Sequence, residues 1–257
     1  MTRIESYEDL ADNIVDWLKD YYWQYNIKAF VVGVSGGIDS AVVSSLCART
    51  GLPTYVVCMP LESKFENSRL SDAHSKALVE KYDNVKRVEV ELFSAYDSLI
   101  KSIEWWSEAQ HFDRKEFTSS EHAKANTKSR MRMVTLYQIA GSVGGIVVGT
   151  GNKVEDYGVG FYTKYGDGGV DIAPIADLYK TEVWELGEYL EVDQRIVDAD
   201  PTDGLWIDSR SDEEQLGASY AELEEAMETG TGPAVDVLNK FNTQNKHKME
   251  PIPTFKL

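Results

Sequence analysis

The sequence predicts an α/β protein with one parallel β-sheet and helices on both of its faces. Short β-branched, apolar segments alternate with longer segments of helical periodicity, an order typical of βαβ units. The segments AFVVGV (29–34) and GGIVVGTG (144–151) are apolar on both sides, as in strands that are buried on both faces. The length of 257 residues suits one α/β domain, which we assign to residues 1–257.

The predicted elements follow in order along the chain. Ser6 opens the first helix, since a serine followed by acidic residues is typical of a helix start. Predicted helices cover residues 6–25, 39–50, 67–81, 94–109, 119–140, 178–190, 212–228 and 233–243. Predicted strands cover residues 29–34, 52–59, 85–92 and 144–151, and residues 161–175 are predicted to be a loop. Ligands bind beyond the carboxyl ends of parallel strands, so we expect the loops after Val34 and Val148 to lie side by side.

The composition limits the classes of partner. The net charge of −17, from 26 basic and 43 acidic residues, disfavours non-specific binding to nucleic acid, which needs a basic face. An acidic protein still binds an anion where its site is locally positive or holds a metal, and the acidity is equally compatible with adaptation to high salt. The sequence has no apolar run of the ~20 residues that span a bilayer and no signal peptide, so we expect no membrane partner and a cytoplasmic location.

The cysteines and histidines give no sign of a metal or disulfide site. Cys47 and Cys58 lie in apolar segments and form no C-x-x-C pair, so we expect both to be buried and inert, as in a reducing compartment. The four histidines, at positions 74, 111, 122 and 247, lack the spacing of zinc ligands.

A glycine turn between a predicted strand and a predicted helix is the first candidate site. Its glycines let the backbone turn sharply and approach a ligand, and the helix start presents unpaired N–H groups to an anion. Ser35 and Ser40 add hydroxyl donors, and the turn lacks the G-K-[ST] ending of a Walker A loop. The candidate nucleotide-binding residues of this turn are Gly33, Val34, Ser35, Gly36, Gly37, Ile38, Asp39 and Ser40.

Two acidic residues have alternative interpretations. Asp39 at a helix start is stabilising by itself, but it would repel a phosphate bound on the same turn unless a cation such as Mg²⁺ lay between them. Glu155 follows the strand that ends at Val148, so the sheet rule places it in the same crevice as Asp39. From spacing alone, an exposed helix acid is the simpler interpretation of Glu155.

The turn resembles the S-G-G-x-D-S loop of the PP-loop ATP pyrophosphatases, which have a Rossmann-like fold and cleave ATP to AMP and pyrophosphate. Two further segments resemble NAD⁺ synthetases within that superfamily. G-T-x-x-x-x-E at Thr150 and Glu155 is similar to a family segment whose threonine contacts ATP and whose glutamate helps the loop aspartate hold Mg²⁺. The segment FYTKYGDGGVDIAPIADLYK (161–180) resembles the family's F-x-T-K-Y-G-D-G-G-x-D-x-x-P pattern.

The resemblance implies a role for each matching residue. Lys180 is implied to bind ATP phosphate; a cation in the first turn of a helix is in any case unfavourable unless an anion is near. Without the resemblance, Arg130 would read as a salt-bridged helix residue and His247-Lys248 as a solvated tail. Thr202, in a P-T pair, joins the ATP set. The residues implied for the second substrate, deamido-NAD⁺, are Arg130, Tyr137, Phe161, Lys164, Asp171, His247 and Lys248.

The activity that the resemblance implies is the last step of NAD⁺ biosynthesis. ATP activates the nicotinate carboxylate of deamido-NAD⁺ as an acyl-adenylate, and ammonia then gives NAD⁺, AMP and pyrophosphate. Asp39, Glu155 and Lys180 are the catalytic candidates for activation, with Mg²⁺ held by the two acids, and Asp167 is the candidate for handling ammonia. The family also implies a homodimer with its dinucleotide site at the subunit interface.

Other expectations concern the nitrogen donor and the alternatives. The chain leaves no room for a glutaminase domain, so we expect ammonium alone to support turnover. The spacing from Glu155 to Lys164 is one residue longer than in typical bacterial members. Two alternatives stay open at this point: another PP-loop enzyme, acting on a nucleobase or tRNA, and a catalytically silent nucleotide-binding module.

Overall fold

The computed structural model describes residues 3–61, 65–109, 120–201 and 211–256. In these ranges four parallel strands form one sheet in the order β3-β2-β1-β4. The strands are β1 (Phe30–Gly33), β2 (Thr54–Cys58), β3 (Val85–Glu89) and β4 (Ile146–Val148). The helices are α1 (Tyr7–Gln24), α2 (Ile38–Arg49), α3 (Phe65–Lys81), α4 (Phe93–Ala109), α5 (Glu121–Val143), α6 (Lys180–Tyr189), α7 (Gln194–Val197), α8 (Asp212–Leu216), α9 (Tyr220–Thr229) and α10 (Val235–Met249), with a π-helix at Val154–Val159.

Helices cover both faces of the sheet, as the sequence predicts. Successive side chains of a strand point to opposite faces. Phe30 and Val32 of β1 belong to the core cluster that includes buried residues of α1, α2 and α6. Val31 belongs instead to a cluster with Val147 of β4 and Ala140 of α5. The central strand is therefore buried on both sides, which explains its continuous apolar sequence.

The prediction that two loops lie side by side is confirmed. β1 and β4 are neighbours in register, with Phe30 opposite Ile146 and Val32 opposite Val148. Because the two strands are parallel, their carboxyl ends lie at the same edge of the sheet. The glycine turn at residues 33–37 and the turn at residues 149–153 therefore meet there.

Several element boundaries differ from the predicted ones. The predicted helix 212–228 is two helices, because Gly217 adopts a left-handed conformation with φ of +79° and ends α8. α5 continues to Val143 and ends at Gly144, which is also left-handed, with φ of +66°. The strands are shorter than predicted, and the four-residue helix α7 was not predicted. Both cysteines are buried and free, as expected.

The π-helix at Val154–Val159 lies within the stretch where the sequence is one residue longer than expected. A π-helix closes its hydrogen bonds from i to i+5 and accommodates an added residue within a helical turn. The longer spacing that we predict between Glu155 and Lys164 would fit this wider turn. In the described part of the chain, no helix combines the length and the apolar character needed to cross a membrane.

Candidate active site at the carboxyl ends of β1 and β4

The conformation of the glycine turn after β1 is fixed by hydrogen bonds from backbone N–H groups to the hydroxyls of Ser35 and Ser40. Ser35 N–H donates to Ser40 Oγ at 3.1 Å, and Gly37 N–H donates to Ser35 Oγ at 3.2 Å. Gly36 has φ of +94°, a conformation that glycine adopts without strain. Gly37 is the N-cap of α2 and no side chain of the described residues caps that helix end. The first N–H groups of α2 are thus available to an anion.

Lys180 joins the two predicted metal ligands into one buried ion-pair site. Its Nζ lies 2.6 Å from Asp39 Oδ2 and 3.0 Å from Glu155 Oε1. The lysine side chain is 3% exposed and each carboxylate side chain is 17% exposed. Asp39 comes from α2, Glu155 from the π-helix and Lys180 from the first residue of α6, so three separate elements meet here. The carboxylates of Asp39 and Glu155 offset the charge of the lysine at this helix start.

The charges of this ion-pair site depend on one another. Burial alone would lower the pKa of Lys180, but the adjacent carboxylates of Asp39 and Glu155 raise it well above its usual range. Burial raises the pKa of Asp39. In Glu155 the effect of burial is outweighed by Lys180 and by the hydroxyl of Tyr220, which lower its pKa. The lysine therefore stays charged at neutral pH, and Glu155 stays ionised beside it.

Two residues that the sequence analysis did not select complete the ion-pair site. Asn152, which is fully buried, donates from Nδ2 to Asp39 Oδ1 at 3.0 Å and accepts the backbone N–H of Glu155 at 3.1 Å. Tyr220 donates its hydroxyl to Glu155 Oε1 at 2.7 Å. Asn152 lies four residues after the last residue of β4, in the turn at the strand end, and that position was a signal that could have been used. Tyr220 offered no comparable signal, because its contact spans 65 residues of sequence.

One cavity of about 430 Å³ runs along this edge of the sheet. It brings together most of the residues that the sequence predicted for ATP and catalysis. Of the predicted residues, those that line it are Gly33, Val34, Ser35, Gly36, Gly37, Ile38, Asp39, Ser40, Thr150, Glu155, Phe161, Asp167 and Lys180. Thr202, also predicted to contact ATP, lies outside the described residues.

A further carboxyl group, Asp156, lines the same cavity. It packs directly on the backbone of Gly151, where an added Cβ would come within 2.1 Å of Asp156 Oδ2. Burial, followed by the charges of Glu155, Asp167 and Asp39, raises the pKa of Asp156 to about 8. Asp156 is therefore largely protonated at neutral pH, and the cavity carries less negative charge than its number of acidic residues suggests.

The side chain of Asp167 is oriented by hydrogen bonds to Thr163, in the segment 161–180, and to Ser129 of α5. Its Oδ1 accepts the Ser129 hydroxyl at 2.6 Å and the Thr163 N–H at 3.0 Å, and its own N–H donates to Ser129 Oγ at 2.9 Å. Thr163 in turn donates its hydroxyl to Asn126 Oδ1 at 2.6 Å. These bonds orient the carboxylate at the cavity wall.

Five of the seven residues predicted for deamido-NAD⁺ form a second group, which we call the Lys164 surface. Arg130 donates to the Lys164 carbonyl at 3.3 Å, and Lys164 Nζ donates to the His247 carbonyl at 3.0 Å. Tyr137 donates its hydroxyl to Asp171 Oδ1 at 3.0 Å. The Lys164 surface consists of Arg130, Tyr137, Lys164, Asp171 and His247, and among the described residues these do not line the cavity.

Two of the predicted deamido-NAD⁺ residues also have structural contacts. Asp171 Oδ2 accepts the Val147 N–H at 2.8 Å, so this carboxylate extends the hydrogen bonding of β4. Lys248 donates to the carbonyls of Gly160 and Tyr162, the latter at 2.8 Å, and thereby attaches the end of α10 to the loop after the π-helix.

The carboxylates of the ion-pair site are the kind of ligand that hard divalent cations prefer. Two carboxylates, one from α2 and one from the π-helix, lie within 3.0 Å of one ammonium nitrogen, next to the glycine turn. Magnesium is usually held by one or two carboxylates together with water and substrate phosphate. Over the described ranges, no group of three or more His, Cys, Asp or Glu residues is arranged to hold a metal by itself.

The fold and the cavity define a class of protein. A parallel α/β sheet whose first strand ends in an S-G-G-x-D-S turn at a helix start is a PP-loop fold. The sequence profile of the family described as NAD synthase matches residues 10–252. The chain belongs to the NAD synthase family. That membership excludes the alternative of a PP-loop family acting on tRNA or nucleobases.

Individual relatives agree with this assignment. The chain is 34% identical to an NH₃-dependent NAD⁺ synthetase of Carboxydothermus hydrogenoformans over 246 residues, covering 95% of each chain. It is 31% identical to a solved structure titled NMN synthetase from Francisella tularensis, with a TM-score of 0.85 over 99% of this chain and 100% of that one. The NH₃-dependent NAD synthetase of Campylobacter jejuni, at 24% identity and a TM-score of 0.77, shares the fold.

Proposed function

We propose that the protein catalyses the ATP-dependent amidation of deamido-NAD⁺ by ammonia, giving NAD⁺, AMP and pyrophosphate. The observation that carries this proposal is the convergence of Asp39, Glu155 and Lys180 beside the phosphate-binding turn, in a chain of the NAD synthase family. In the first step a nicotinate carboxylate oxygen attacks the α-phosphorus of ATP, and the bond to the bridging oxygen of pyrophosphate breaks. In the second step ammonia attacks the acyl carbon and AMP departs.

The residues of the cavity position the triphosphate and offset its charge. The first N–H groups of α2 and the hydroxyls of Ser35 and Ser40 bind phosphate oxygens of the departing pyrophosphate. Lys180 exchanges part of its interaction with the two carboxylates for the phosphates, because its ammonium is the buried cation of the ion-pair site. Asp39 and Glu155 would hold Mg²⁺, which when bound supplies further charge neutralisation to the triphosphate.

The second step requires ammonia in its uncharged form next to the acyl carbon. Asp167 is the proposed residue for this task, since its carboxylate is oriented at the cavity wall by Ser129 and Thr163. The Lys164 surface is proposed to bind the remainder of deamido-NAD⁺ through its cationic and aromatic side chains. Ammonium is proposed as the direct nitrogen donor.

Pyrophosphate release from Mg-ATP and deamido-NAD⁺ with ammonium tests this function. Asp39→Asn and Glu155→Gln should each reduce the rate at least about tenfold, because each removes one candidate metal ligand. Near-normal turnover in both variants would defeat the metal assignment. Turnover with glutamine but not with ammonium would defeat the proposed nitrogen donor.

A second candidate substrate is nicotinic acid mononucleotide. The observation that favours it is the match to the NMN synthetase structure along the full length of both chains. The same carboxylate chemistry applies to a substrate without the adenylate half. Comparing kcat/KM for the mononucleotide and for deamido-NAD⁺ under identical Mg-ATP and ammonium conditions decides between them.

We further propose that the protein works as a homodimer in the cytoplasm. α5 exposes Val134 one helical turn from Tyr137 of the Lys164 surface, which supports a substrate site completed by a second subunit. Light scattering of the purified protein, with and without deamido-NAD⁺, measures the oligomeric state, and a mass equal to one chain under both conditions would contradict the dimer.

A further inference from the structure

Tyr220 contacts the ion-pair site from the C-terminal part of the chain. It is the first residue of α9, it is 1% exposed, and it is among the largest fully buried side chains. Its hydroxyl lies 2.7 Å from Glu155 Oε1, a distance typical of a hydroxyl that donates to an ionised carboxylate. The hydrogen bond therefore joins α9 to the π-helix at the residue proposed to hold the metal.

The same tyrosine also lies against the lysine of the site. Lys180 Nζ is 5.1 Å from the centroid of the Tyr220 ring and 3.0 Å from the oxygen that accepts the tyrosine hydroxyl. The second acceptor near that hydroxyl, Asp212 Oδ2, is more distant at 3.3 Å. Because a phenol has one proton to donate, the shorter contact favours Glu155 as the acceptor.

We propose that Tyr220 is a positioning residue that fixes the Glu155 carboxylate for the metal-bound triphosphate. The inference rests on the proposed function, in which Glu155 holds Mg²⁺. A partner that bonds to a metal-ligating carboxylate sets the orientation of that carboxylate. Glu155 Oε1 already accepts from Lys180 Nζ, so removing the hydroxyl takes a second donor from this oxygen and lets the carboxylate rotate about its contact with the lysine.

The packing role of Tyr220 is separable from this positioning role. The ring packs edge-to-face on Trp184, with centroids 5.9 Å apart, and belongs to a core cluster with Leu216 and Leu223. Tyr220→Phe keeps the ring in this cluster and removes only the hydroxyl. A matched control is Tyr22→Phe, since Tyr22 is also buried and donates its hydroxyl to the Lys28 carbonyl at 3.2 Å, outside the cavity.

The experiment measures metal dependence by two methods. Calorimetry follows Mg²⁺ binding in the presence of a non-hydrolysable ATP analogue, and pyrophosphate release gives the Mg²⁺ concentration for half-maximal rate. In Tyr220→Phe both values should rise about tenfold, as expected for loss of a partner that orients a metal ligand. The KM for deamido-NAD⁺ should change less than about twofold, and Tyr22→Phe should match the unmodified protein in every value.

A double-mutant cycle with Glu155→Gln separates positioning from packing. If Tyr220 acts through the Glu155 carboxylate, Tyr220→Phe has no further effect on Mg²⁺ binding once that carboxylate is absent. The inference is overturned if Tyr220→Phe binds Mg²⁺ as the unmodified protein does, or if its effect persists in the Glu155→Gln background. If the unmodified protein releases no pyrophosphate or needs no Mg²⁺, the proposed function fails instead.

Discussion

The ion-pair site and the Lys164 surface differ in the exposure of their charged side chains and in whether oppositely charged groups of the chain pair with them. In the ion-pair site, Lys180 is 3% exposed and both of its carboxylate partners belong to the same chain. In the Lys164 surface, Arg130 and Lys164 donate to backbone carbonyls, and Arg130 and His247 are exposed. Buried charges are costly unless paired, so the first site is ordered before any substrate arrives. The second is the kind of surface whose charges a ligand or another subunit would neutralise.

The largest expected effect tests the ion-pair site directly. Lys180→Met leaves two buried carboxylates without their cation, so we expect a loss of about 3 kcal/mol in the free energy of unfolding. Pyrophosphate release should fall about 10³-fold because a charge beside the phosphates is lost. Denaturant unfolding and steady-state rates measure the two effects.

Lys153→Met is the matched control for this variant. Lys153 Nζ pairs with Asp177 Oδ1 at 2.7 Å, but the aspartate side chain is 84% exposed. A surface pair of this kind should contribute no more than about 1 kcal/mol. Equal losses of stability in the two lysine variants would remove the distinction between buried and exposed charge on which the comparison depends.

The next effect is the acid dependence of stability that arises from a histidine packed beneath the glycine turn. His74 Nε2 lies 2.9 Å from Ser44 Oγ, which donates to the Ser40 carbonyl at 2.7 Å. Burial lowers the pKa of His74 to about 4 from its usual 6.5. Between these values the unfolded chain binds more protons than the folded one, so stability is full above pH 6.5 and is lost as the pH falls toward 4.

This linkage predicts a loss of about 2–3 kcal/mol in the free energy of unfolding between pH 6.5 and 4.5. His74→Gln has no titrating ring, so its stability should fall less over the same interval. Chemical unfolding at several pH values compares the two proteins, and parallel acid dependence in both would show that His74 is not responsible.

A smaller effect is expected at the Lys164 surface. Lys164→Ala should raise the KM for deamido-NAD⁺ about tenfold, through loss of a charged contact, and change the free energy of unfolding by less than about 0.5 kcal/mol. Lys246→Ala is the control, because Lys246 is exposed on α10 and pairs with Glu250 at 3.6 Å. A large loss of stability in Lys164→Ala would mean that this surface is also ordered by the chain alone.

The smallest effect is expected when one of the two carboxylate oxygens of Asp171 loses its hydrogen-bond donor. Tyr137→Phe removes the hydroxyl that donates to Asp171 Oδ1, while Oδ2 keeps the Val147 N–H. We expect a loss of about 0.5–1 kcal/mol in stability and less than about a threefold change in the KM for deamido-NAD⁺. Thermal unfolding measures the first value and initial rates the second. A larger change in KM would show that the Tyr137 hydroxyl, and not only its ring, contacts the substrate.

The sequence was sufficient for the sheet and for the turn that carries Ser35 to Ser40. Buried parallel strands have a distinctive apolar pattern, and the sheet rule then places Asp39 and Glu155 together. The hydrogen-bond partners of these two residues were harder to predict from the sequence. Asn152 bonds to Asp39 across 113 residues and Tyr220 to Glu155 across 65, and no local periodicity encodes such contacts.

Two other differences have local physical causes. Gly217 is a left-handed helix end inside a stretch of continuous helical periodicity, so the pattern joined two helices into one. Asp171 was selected through the family resemblance, but its carboxylate also accepts a backbone N–H of β4, a contact that depends on three-dimensional proximity. The sequence thus identified the candidate site residues more readily than the hydrogen-bond partners that orient them.

The π-helix at Val154–Val159 has a consequence for comparing family members. If the predicted additional residue lies inside this helical turn, alignment gaps belong between Glu155 and Gly160. They would then precede Phe161, the aromatic residue that begins the segment 161–180. A gap placed in the following loop would give Asp156, which faces the cavity, the wrong counterpart in shorter relatives. A relative that is one residue shorter at this point would then differ in the side chains that line the cavity, while the positions of Glu155 and Lys164 would still correspond.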